Sequence, residues 1–247
     1  MKLLVCGGAG FIGSTFIKNH FQCYANDEII NLDNLSVGSN LVNLREIENN
    51  PNYRLVHGDI KNYELVSKLV KDVDIVVNFA AETHVDRSIA NSKPFIETNV
   101  LGTHSILEAI RMNDKMFVQV STDEVYGDAK NDESFTENDT LNPSNPYSAT
   151  KAAADNLTLA YHRTYGINCI ITRCTNNFGP NQFPEKLIPK TIIRAQKDLK
   201  IPLYGDGNQI RSWIYVLDHV AAIDSVVSRG KSGEIYNIAA WNETTNR

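Results

Sequence analysis

The chain has 247 residues, 42% of them hydrophobic, and a formal net charge of −5. This length is enough for one large domain with part of a second, and the mildly acidic balance lacks the basic face that nucleic-acid binding requires. The sequence has no apolar run near the ~20 residues of a membrane span, and its four cysteines share no metal-ligand spacing. We therefore expect a cytoplasmic globular protein with reduced thiols, no metal, and no nucleic-acid or membrane partner.

Apolar runs of strand length alternate with helical segments over the first 175 residues. The candidate strands are Lys2–Cys6, Glu28–Leu32, Tyr53–His57, Asp74–Phe79, Met116–Ser121 and Asn168–Thr172. Helices are predicted near residues 11–22, 62–71, 94–113 and 147–165. Several strands are apolar throughout, which is typical of a parallel sheet with helices on both faces. The pattern predicts a doubly wound α/β (Rossmann) domain over residues 1–175.

The sequence changes character after residue 175, where turn-rich stretches separate shorter apolar runs. Asn176–Pro180 and the segment 204–207 are examples. We expect residues 176–247 to form a smaller substrate-binding lobe, with some chain crossing back to the sheet.

A glycine pattern directly after the first strand predicts a dinucleotide site. Gly7, Gly10 and Gly13 permit a tight turn and let a pyrophosphate approach backbone N–H groups at the start of a helix. Asp33 follows Gly13 by twenty residues and ends the second strand, where a carboxylate can accept hydrogen bonds from the adenosine ribose. Because the same charge repels a 2′-phosphate, NAD is expected rather than NADP.

Further cofactor contacts are expected around this turn and after the next strands. Asp59 and Ile60 suit the adenine, and the small Ala80 and Ala81 let the cofactor lie close to the backbone. The complete set of additional predicted contacts is Phe11, Ile12, Asn34, Ser36, Asp59, Ile60, Ala80, Ala81 and Thr98.

Two groups of reactive side chains predict sugar chemistry. Tyr147 and Lys151 are four residues apart on one helical face, so the ammonium is expected to stabilise a phenolate and lower the tyrosine pKa from about 10. Such a phenolate can take the proton of an alcohol. Both residues are also expected to contact the cofactor. Thr122, Asp123 and Glu124 place a hydroxyl and two adjacent carboxyls at the end of a strand. Two close carboxyls can divide the roles of acid and base, because like charges push one pKa upward.

These motifs resemble those of extended short-chain dehydrogenases/reductases, and within them the nucleotide-sugar 4,6-dehydratases. The resemblance covers essentially the whole chain, and it is most specific at Ala80–Ser88, Thr122–Glu124, Phe183–Pro189 and Arg211 with Trp213. It implies a hydro-lyase of deoxysugar biosynthesis, closest to the members that act on dTDP-glucose. Oxidation at C4 is followed by loss of water across C5 and C6 and by return of hydride to C6.

The resemblance also implies residue roles. Glu124 is the C5 base, Asp123 the acid for the C6 hydroxyl, and Thr122 a partner of the C4 oxygen. Asn177 matches a cofactor contact. The positions that match substrate contacts are Thr83, Thr122, Asn176, Lys186, Leu187, Arg211 and Asn246.

Several alternatives remain open at this stage. The sugar could carry UDP or CDP, the enzyme could be a nucleotide-sugar epimerase or decarboxylase, or the chain could be a non-catalytic NAD-binding regulator. The resemblance further implies a homodimer formed by helices 94–113 and 147–165. Because members of the family continue well beyond the position of Asn246, we expect a truncated substrate lobe that binds the nucleotide sugar poorly.

Overall fold

A seven-stranded parallel sheet forms the centre of the protein in a computed structural model that describes residues 1–129, 134–203 and 205–247. Its spatial strand order is β3-β2-β1-β4-β5-β6-β9, with every neighbouring pair parallel. The strands of the chain are β1 (Lys2–Cys6), β2 (Glu28–Asp33), β3 (Tyr53–His57), β4 (Ile75–Asn78), β5 (Met116–Thr122), β6 (Cys169–Cys174), β7 (Asn176–Phe178), β8 (Ile210–Tyr215), β9 (Ile235–Ile238) and β10 (Glu243–Thr245). The predicted doubly wound α/β fold is confirmed.

Eight α-helices are described, most of them packed on the two faces of this sheet. They are α1 (Phe11–Cys23), α2 (Tyr63–Lys71), α3 (Val85–Ala90), α4 (Lys93–Phe95), α5 (Thr103–Arg111), α6 (Pro146–Tyr165), α7 (Leu187–Ala195) and α8 (Val216–Arg229). None of the described helices is long and apolar enough to cross a membrane.

The strands are apolar throughout because both of their faces are buried. On β1, Leu3 joins a core cluster with Phe16 of α1 and Val220 of α8. Its neighbour Leu4 points to the opposite face and joins a second cluster with Ile106 of α5. Leu3 and Leu4 are thus both fully buried, although they point to opposite faces of the sheet. This is the burial expected of a parallel sheet between two helical layers.

The predicted single helix over residues 94–113 is divided in the structure. It starts as the short α4, continues as a π-helical stretch over Ile96–Gly102, and becomes regular only in α5. Asn99 in the π-helical stretch accepts a hydrogen bond from the backbone N–H of Glu82 at 2.8 Å and donates to Thr150 Oγ1 at 2.9 Å. The π-helical stretch therefore lies where the Asn99 side chain links the segment after β4 to α6. π-Helical turns often occur at functional sites.

Helix α6 has strong signals at both ends. The Asn145 side chain accepts from the Ser148 N–H at 2.9 Å, and the Ser148 hydroxyl accepts from the Asn145 N–H at 3.2 Å. Pro146 occupies the first turn, and Gly166 ends the helix with a φ of +69°. This capping box and glycine stop fix the helix register, and with it the direction in which Tyr147 and Lys151 point.

A small second sheet, ordered β10-β8-β7, lies beyond residue 175. Strand β8 pairs parallel with β7 and antiparallel with β10, while β9 returns to the edge of the main sheet beside β6. Residues after 175 therefore contribute both to the large sheet and to the small one.

Candidate active site

A cavity of about 830 Å³ opens at the carboxyl edge of the main sheet. It lies where the strand order reverses between β1 and β4, the position at which doubly wound folds bind their ligands. Every predicted site residue lines it except Asp59 and Asp123. The lining residues among the predictions are Gly7, Gly10, Phe11, Ile12, Gly13, Asp33, Asn34, Ser36, Ile60, Ala80, Ala81, Thr83, Thr98, Thr122, Glu124, Tyr147, Lys151, Asn176, Asn177, Lys186, Leu187, Arg211 and Asn246.

The glycine turn between β1 and α1 has no room for side chains. Gly7 adopts a φ of +77°, and a Cβ there would lie 2.6 Å from the backbone nitrogen of Ala80. A Cβ on Gly13 would collide with the carbonyl oxygen of Gly7. This close packing leaves the start of α1 open to the cavity, as the binding of a pyrophosphate requires.

Asp33 both organises this turn and faces the cavity. Its carboxylate accepts hydrogen bonds from the N–H groups of Ala9 and Leu35 and from the Ser39 hydroxyl, each at 2.8 Å. A carboxylate has about four acceptor positions, so one remains for a ribose hydroxyl. The turn and the carboxylate together fit a dinucleotide with an unmodified ribose.

Asp59 lies outside the cavity wall. Its carboxylate accepts from the Lys61 N–H at 2.9 Å and from the Asn34 side-chain amide at 3.4 Å, and it is 3.5 Å from the Lys61 ammonium. Neighbouring Ile60 lines the cavity instead. A cofactor contact by Asp59 therefore stays a prediction.

Tyr147 and Lys151 are buried side by side on the cavity-facing side of α6. The Lys151 ammonium donates to the Val120 carbonyl oxygen on β5 at 2.7 Å, and burial lowers its pKa. The Tyr147 backbone N–H donates to the Ser88 hydroxyl at 3.1 Å, which ties the start of α6 to α3. The first contact orients the Lys151 side chain, and the second fixes the backbone from which Tyr147 projects.

The pKa of Tyr147 differs from the sequence-based expectation. Burial raises it well above its usual value of 10, and the nearby carboxylate of Glu124 and thiol of Cys174 raise it further. The Thr122 hydroxyl acts in the opposite direction. The lowering expected from Lys151 is wrong for the protein alone, because removal of the phenolate from water outweighs it.

Asp123 and Glu124 occupy a 3₁₀ turn, Asp123–Tyr126, directly after β5. Thr122 caps this turn by accepting the Glu124 N–H at 3.2 Å and donates its hydroxyl to Asp123 at 3.2 Å. Burial and then the charge of Glu124 raise the pKa of Asp123 from 3.8 to about 6. The predicted separation of the two carboxyls into an acid and a base thus has a physical cause in this turn.

Three further residues belong to this site although the sequence arguments did not assign them to it. Asn145, which caps α6, donates its side-chain amide to Glu124 at 3.5 Å. Cys174 ends β6 in the cavity wall, and burial raises the pKa of its thiol to about 12. Lys190 lines the cavity one helical turn after Lys186. Of these three residues, only Lys190 could have been predicted from the sequence, because it lies four residues after Lys186 and so on the same helical face.

Part of the cavity wall is formed by residues from beyond residue 175, and it includes most of the positions predicted to contact a nucleotide sugar. Lys186, which is partly buried, donates to the Thr83 carbonyl oxygen at 3.1 Å, and burial lowers its pKa. Arg211 on β8 is exposed, and its guanidinium contacts its neighbour's carbonyl oxygen at 3.3 Å. Asn177 is less free, since its side chain already contacts His219, Thr175 and Cys174.

Comparisons with known proteins agree with this geometry. The family model described as GDP-mannose 4,6 dehydratase matches residues 4–247. The chain is 51% identical to the low-salt glycan biosynthesis protein Agl12 of Haloferax volcanii, over 100% of this chain and 79% of that protein. It is 45% identical to the dTDP-glucose 4,6-dehydratase of Shigella flexneri, over 100% of this chain and 74% of that protein.

A solved structure extends the comparison to three dimensions. The crystal structure of DesIV, a dTDP-glucose 4,6-dehydratase from Streptomyces venezuelae with NAD bound, superposes with a TM-score of 0.97 at 46% identity. The match covers 100% of this chain and 78% of that one. Fold and site therefore define a dinucleotide-binding enzyme with an acid–base pair. The chain belongs to the GDP-mannose 4,6 dehydratase family.

Proposed function

We propose that this protein is an NAD-dependent hydro-lyase that converts dTDP-glucose to its 4-keto-6-deoxy derivative. The observation that carries the proposal is that Glu124, Tyr147 and Lys151 line the same cavity as the glycine turn, with Asp123 next to Glu124 in the 3₁₀ turn. The names of the Shigella and Streptomyces relatives support dTDP-glucose as the substrate, within a family described by a different nucleotide sugar.

Oxidation at C4 uses the residues on α6. NAD, held by the glycine turn and Asp33, would supply the hydride acceptor for oxidation at C4 and the hydride donor for reduction at C6. Tyr147 takes the proton of the C4 hydroxyl in its phenolate form, and the positive charge of the neighbouring Lys151 ammonium opposes the effect of burial on that form. Thr122 lies between Tyr147 and the carboxyl pair, where its hydroxyl can orient the C4 oxygen.

Elimination of water uses the 3₁₀ turn after β5. Once C4 is a ketone, the C5 proton is acidic, and the carboxylate of Glu124 removes it. Asp123, whose raised pKa increases its protonated fraction, donates its proton to the departing C6 hydroxyl, which leaves as water. As the hydride returns to C6, the protonated Glu124 gives a proton back to C5. Asn145 holds the Glu124 carboxylate against the start of α6.

The alternative activities predict different products. A nucleotide-sugar 4-epimerase needs no second acid–base pair and would leave the C6 oxygen in place. A decarboxylase requires a sugar acid, and a UDP- or CDP-sugar dehydratase would make the same keto sugar from another nucleotide. A non-catalytic regulator would bind NAD and release every sugar unchanged.

The test is to incubate the protein with NAD and, separately, dTDP-, UDP- and CDP-glucose. Formation of a 4-keto sugar from dTDP-glucose, detected by its absorbance in alkali, supports the proposal. In D₂O the product should carry deuterium at C5, because the proton on Glu124 exchanges with solvent. The double variant Asp123→Asn, Glu124→Gln is the control and should form no 4-keto-6-deoxy product. Formation of an epimer, or no conversion of dTDP-glucose, would contradict the proposal.

We further propose that two copies associate through α6 and the segment from Ile96 to the end of α5. Ile96 and Leu101 are 47% and 53% exposed there, although both are large and apolar. Full burial of such a side chain is favourable by about 1.5–3 kcal/mol, so covering the exposed half of each contributes about 1 kcal/mol. Sedimentation should find a dimer that Leu101→Glu weakens and that Leu199→Glu, at a similarly exposed leucine elsewhere, leaves intact. A monomeric parent protein would contradict the arrangement.

Two other expectations complete the proposal. The division between a cofactor domain, residues 1–175, and a substrate lobe, residues 176–247, is supported by the change from the large parallel sheet to the small one. A cytoplasmic location is supported by the four free cysteines, three of which are buried, because reduced thiols are typical of a reducing compartment. Limited proteolysis and cell fractionation test these two expectations.

A further inference from the structure

Two distant motifs meet at the sugar end of the cavity. Both carboxylate oxygens of Glu185 accept from Nη2 of Arg87, at 2.7 and 2.8 Å, across 98 residues of sequence. Nε2 of His84 lies 3.3 Å from the same carboxylate. Arg87 belongs to α3, which follows β4, whereas Glu185 lies in the loop before α7. All three side chains line the cavity.

The next residue along the chain makes a second contact between the same two segments. Lys186 donates its ammonium to the Thr83 carbonyl oxygen at 3.1 Å, and it also lines the cavity. Lys186 is the first residue before α7, and its N–H donates to the Phe183 carbonyl oxygen at 3.0 Å. The position of Glu185 therefore constrains where the backbone of Lys186 lies and where its ammonium can reach.

We propose that Arg87 and Glu185 form a clasp that positions Lys186 at the sugar end of the cavity and thereby sets the affinity for the nucleotide sugar. This inference rests on the proposed function for the identity of the sugar ligand. Neither Arg87 nor Glu185 is assigned a chemical step. They act through Lys186 and are positioning residues.

The charge arrangement favours this role. A buried ammonium is costly unless it is oriented toward acceptors, and Glu185 and Glu124 both provide negative charge near Lys186. Arg87 balances the charge of Glu185, so the cluster can meet an anionic ligand without a net negative charge from that carboxylate. The ion pair also restrains the Glu185 side chain, because Nη2 of Arg87 contacts both of its carboxylate oxygens.

The solvent exposure of Arg87 and Glu185 makes it possible to distinguish a positioning role from a contribution to folding stability. The side chains of Arg87 and Glu185 are 42% and 44% exposed. Exposed ion pairs contribute little to folding, so loss of the clasp should leave the melting temperature nearly unchanged. The loop before α7 should nevertheless become more mobile in these variants, because it loses one of the contacts that hold it to α3.

The test compares Arg87→Gln, Glu185→Gln and the exchanged pair Arg87→Glu with Glu185→Arg. Lys2→Gln is the matched control, since Lys2 makes a 3.2 Å surface ion pair with Glu28 on the neighbouring strand β2 and does not line the cavity. Each glutamine variant should raise KM for dTDP-glucose about fivefold, with kcat and the Kd for NAD changed less than about twofold. The exchanged pair should recover part of the loss, and the control should match the parent.

Hydrogen–deuterium exchange without substrate provides a readout that does not need activity. Peptides covering residues 183–195 should exchange faster in Arg87→Gln and Glu185→Gln and at the parent rate in Lys2→Gln. Unchanged exchange in the clasp variants would overturn the clasp, and faster exchange with an unchanged KM would overturn its role in affinity. If the parent protein does not convert dTDP-glucose, the proposed function fails. The affinity for dTDP-glucose, measured by calorimetry, then decides the clasp by the same fivefold criterion.

Discussion

Replacing Asp123 by asparagine should make the protein more stable at neutral pH while removing its proposed acid. Asp123 is partly buried beside Glu124, and its burial and the neighbouring charge raise its pKa from 3.8 to about 6. Asparagine has nearly the same shape, and its amide oxygen can still accept the Thr122 hydroxyl. The substitution therefore removes the buried charge with little change in packing.

The magnitude follows from the difference between the folded and unfolded pKa values. A carboxyl whose folded pKa is raised contributes stability below pH 3.8, and this contribution is lost as the pH rises through about 6. The folded and unfolded pKa values differ by about two units, at about 1.4 kcal/mol per unit. Above about pH 6 the parent protein has therefore lost about 3 kcal/mol of unfolding free energy. The asparagine variant does not suffer this loss. Its advantage should thus be near zero at about pH 4 and close to its maximum above about pH 7.

Urea unfolding between about pH 4 and about pH 8 measures this difference directly. Asp128→Asn is the matched control, because Asp128 is exposed in the chain just after the same turn and should show no such trend. The reasoning is refuted if Asp123→Asn is no more stable than the parent at about pH 8. It is also refuted if the advantage is the same at every pH.

Three other predictions address the cofactor, the base and the core. Glu124→Gln should allow oxidation at C4 but block removal of the C5 proton. The absorbance of reduced nicotinamide should therefore build up on mixing with dTDP-glucose. A normal rate of product release would contradict the role of Glu124 as the C5 base. Asp33→Asn should weaken NAD binding about tenfold and narrow the preference over NADP, measured by calorimetric titration, since a charge-assisted hydrogen bond is lost. Equal affinities for both cofactors in the parent would contradict the assignment. Arg173→Leu should cost about 3–5 kcal/mol in urea unfolding, because it leaves Asp155 charged and fully buried after loss of a 2.9 Å ion pair. Adding Asp155→Leu should recover most of that cost, and a loss below about 1 kcal/mol in the single variant would show that the pair is not coupled.

The main sheet could be predicted because its signal is local. All six predicted strands occur, and their ends differ from the structure by at most two residues. Continuous burial on both faces makes each strand stand out from its flanking turns. The predicted helix over residues 94–113 was less accurate, because the π-helical stretch depends on the contacts of Asn99 with Glu82 and Thr150. Such contacts join residues that the sequence pattern does not connect.

The site divides in the same way between local and distant causes. Adjacent or helically spaced groups, such as the Asp123–Glu124 pair, were found from the sequence because their spacing is short. The ion pair between Arg87 and Glu185 was not, since 98 residues separate its members. The direction of the Tyr147 pKa was also missed, because it depends on how completely the fold buries the phenol.

The paired carboxyls have a further consequence for the order of events in the proposed mechanism. Glu124 raises the pKa of Tyr147, so a second negative charge nearby would make a phenolate still less favourable. In the form with Asp123 protonated, Glu124 gains a proton during elimination as Asp123 gives one up, and the pair therefore carries one negative charge both before and after the step. No new charge has to be created in a buried cavity, where an unpaired charge is costly. The adjacency of the two carboxyls thus provides an acid and a base and, in addition, keeps the electrostatic environment of Tyr147 nearly constant between the two hydride transfers.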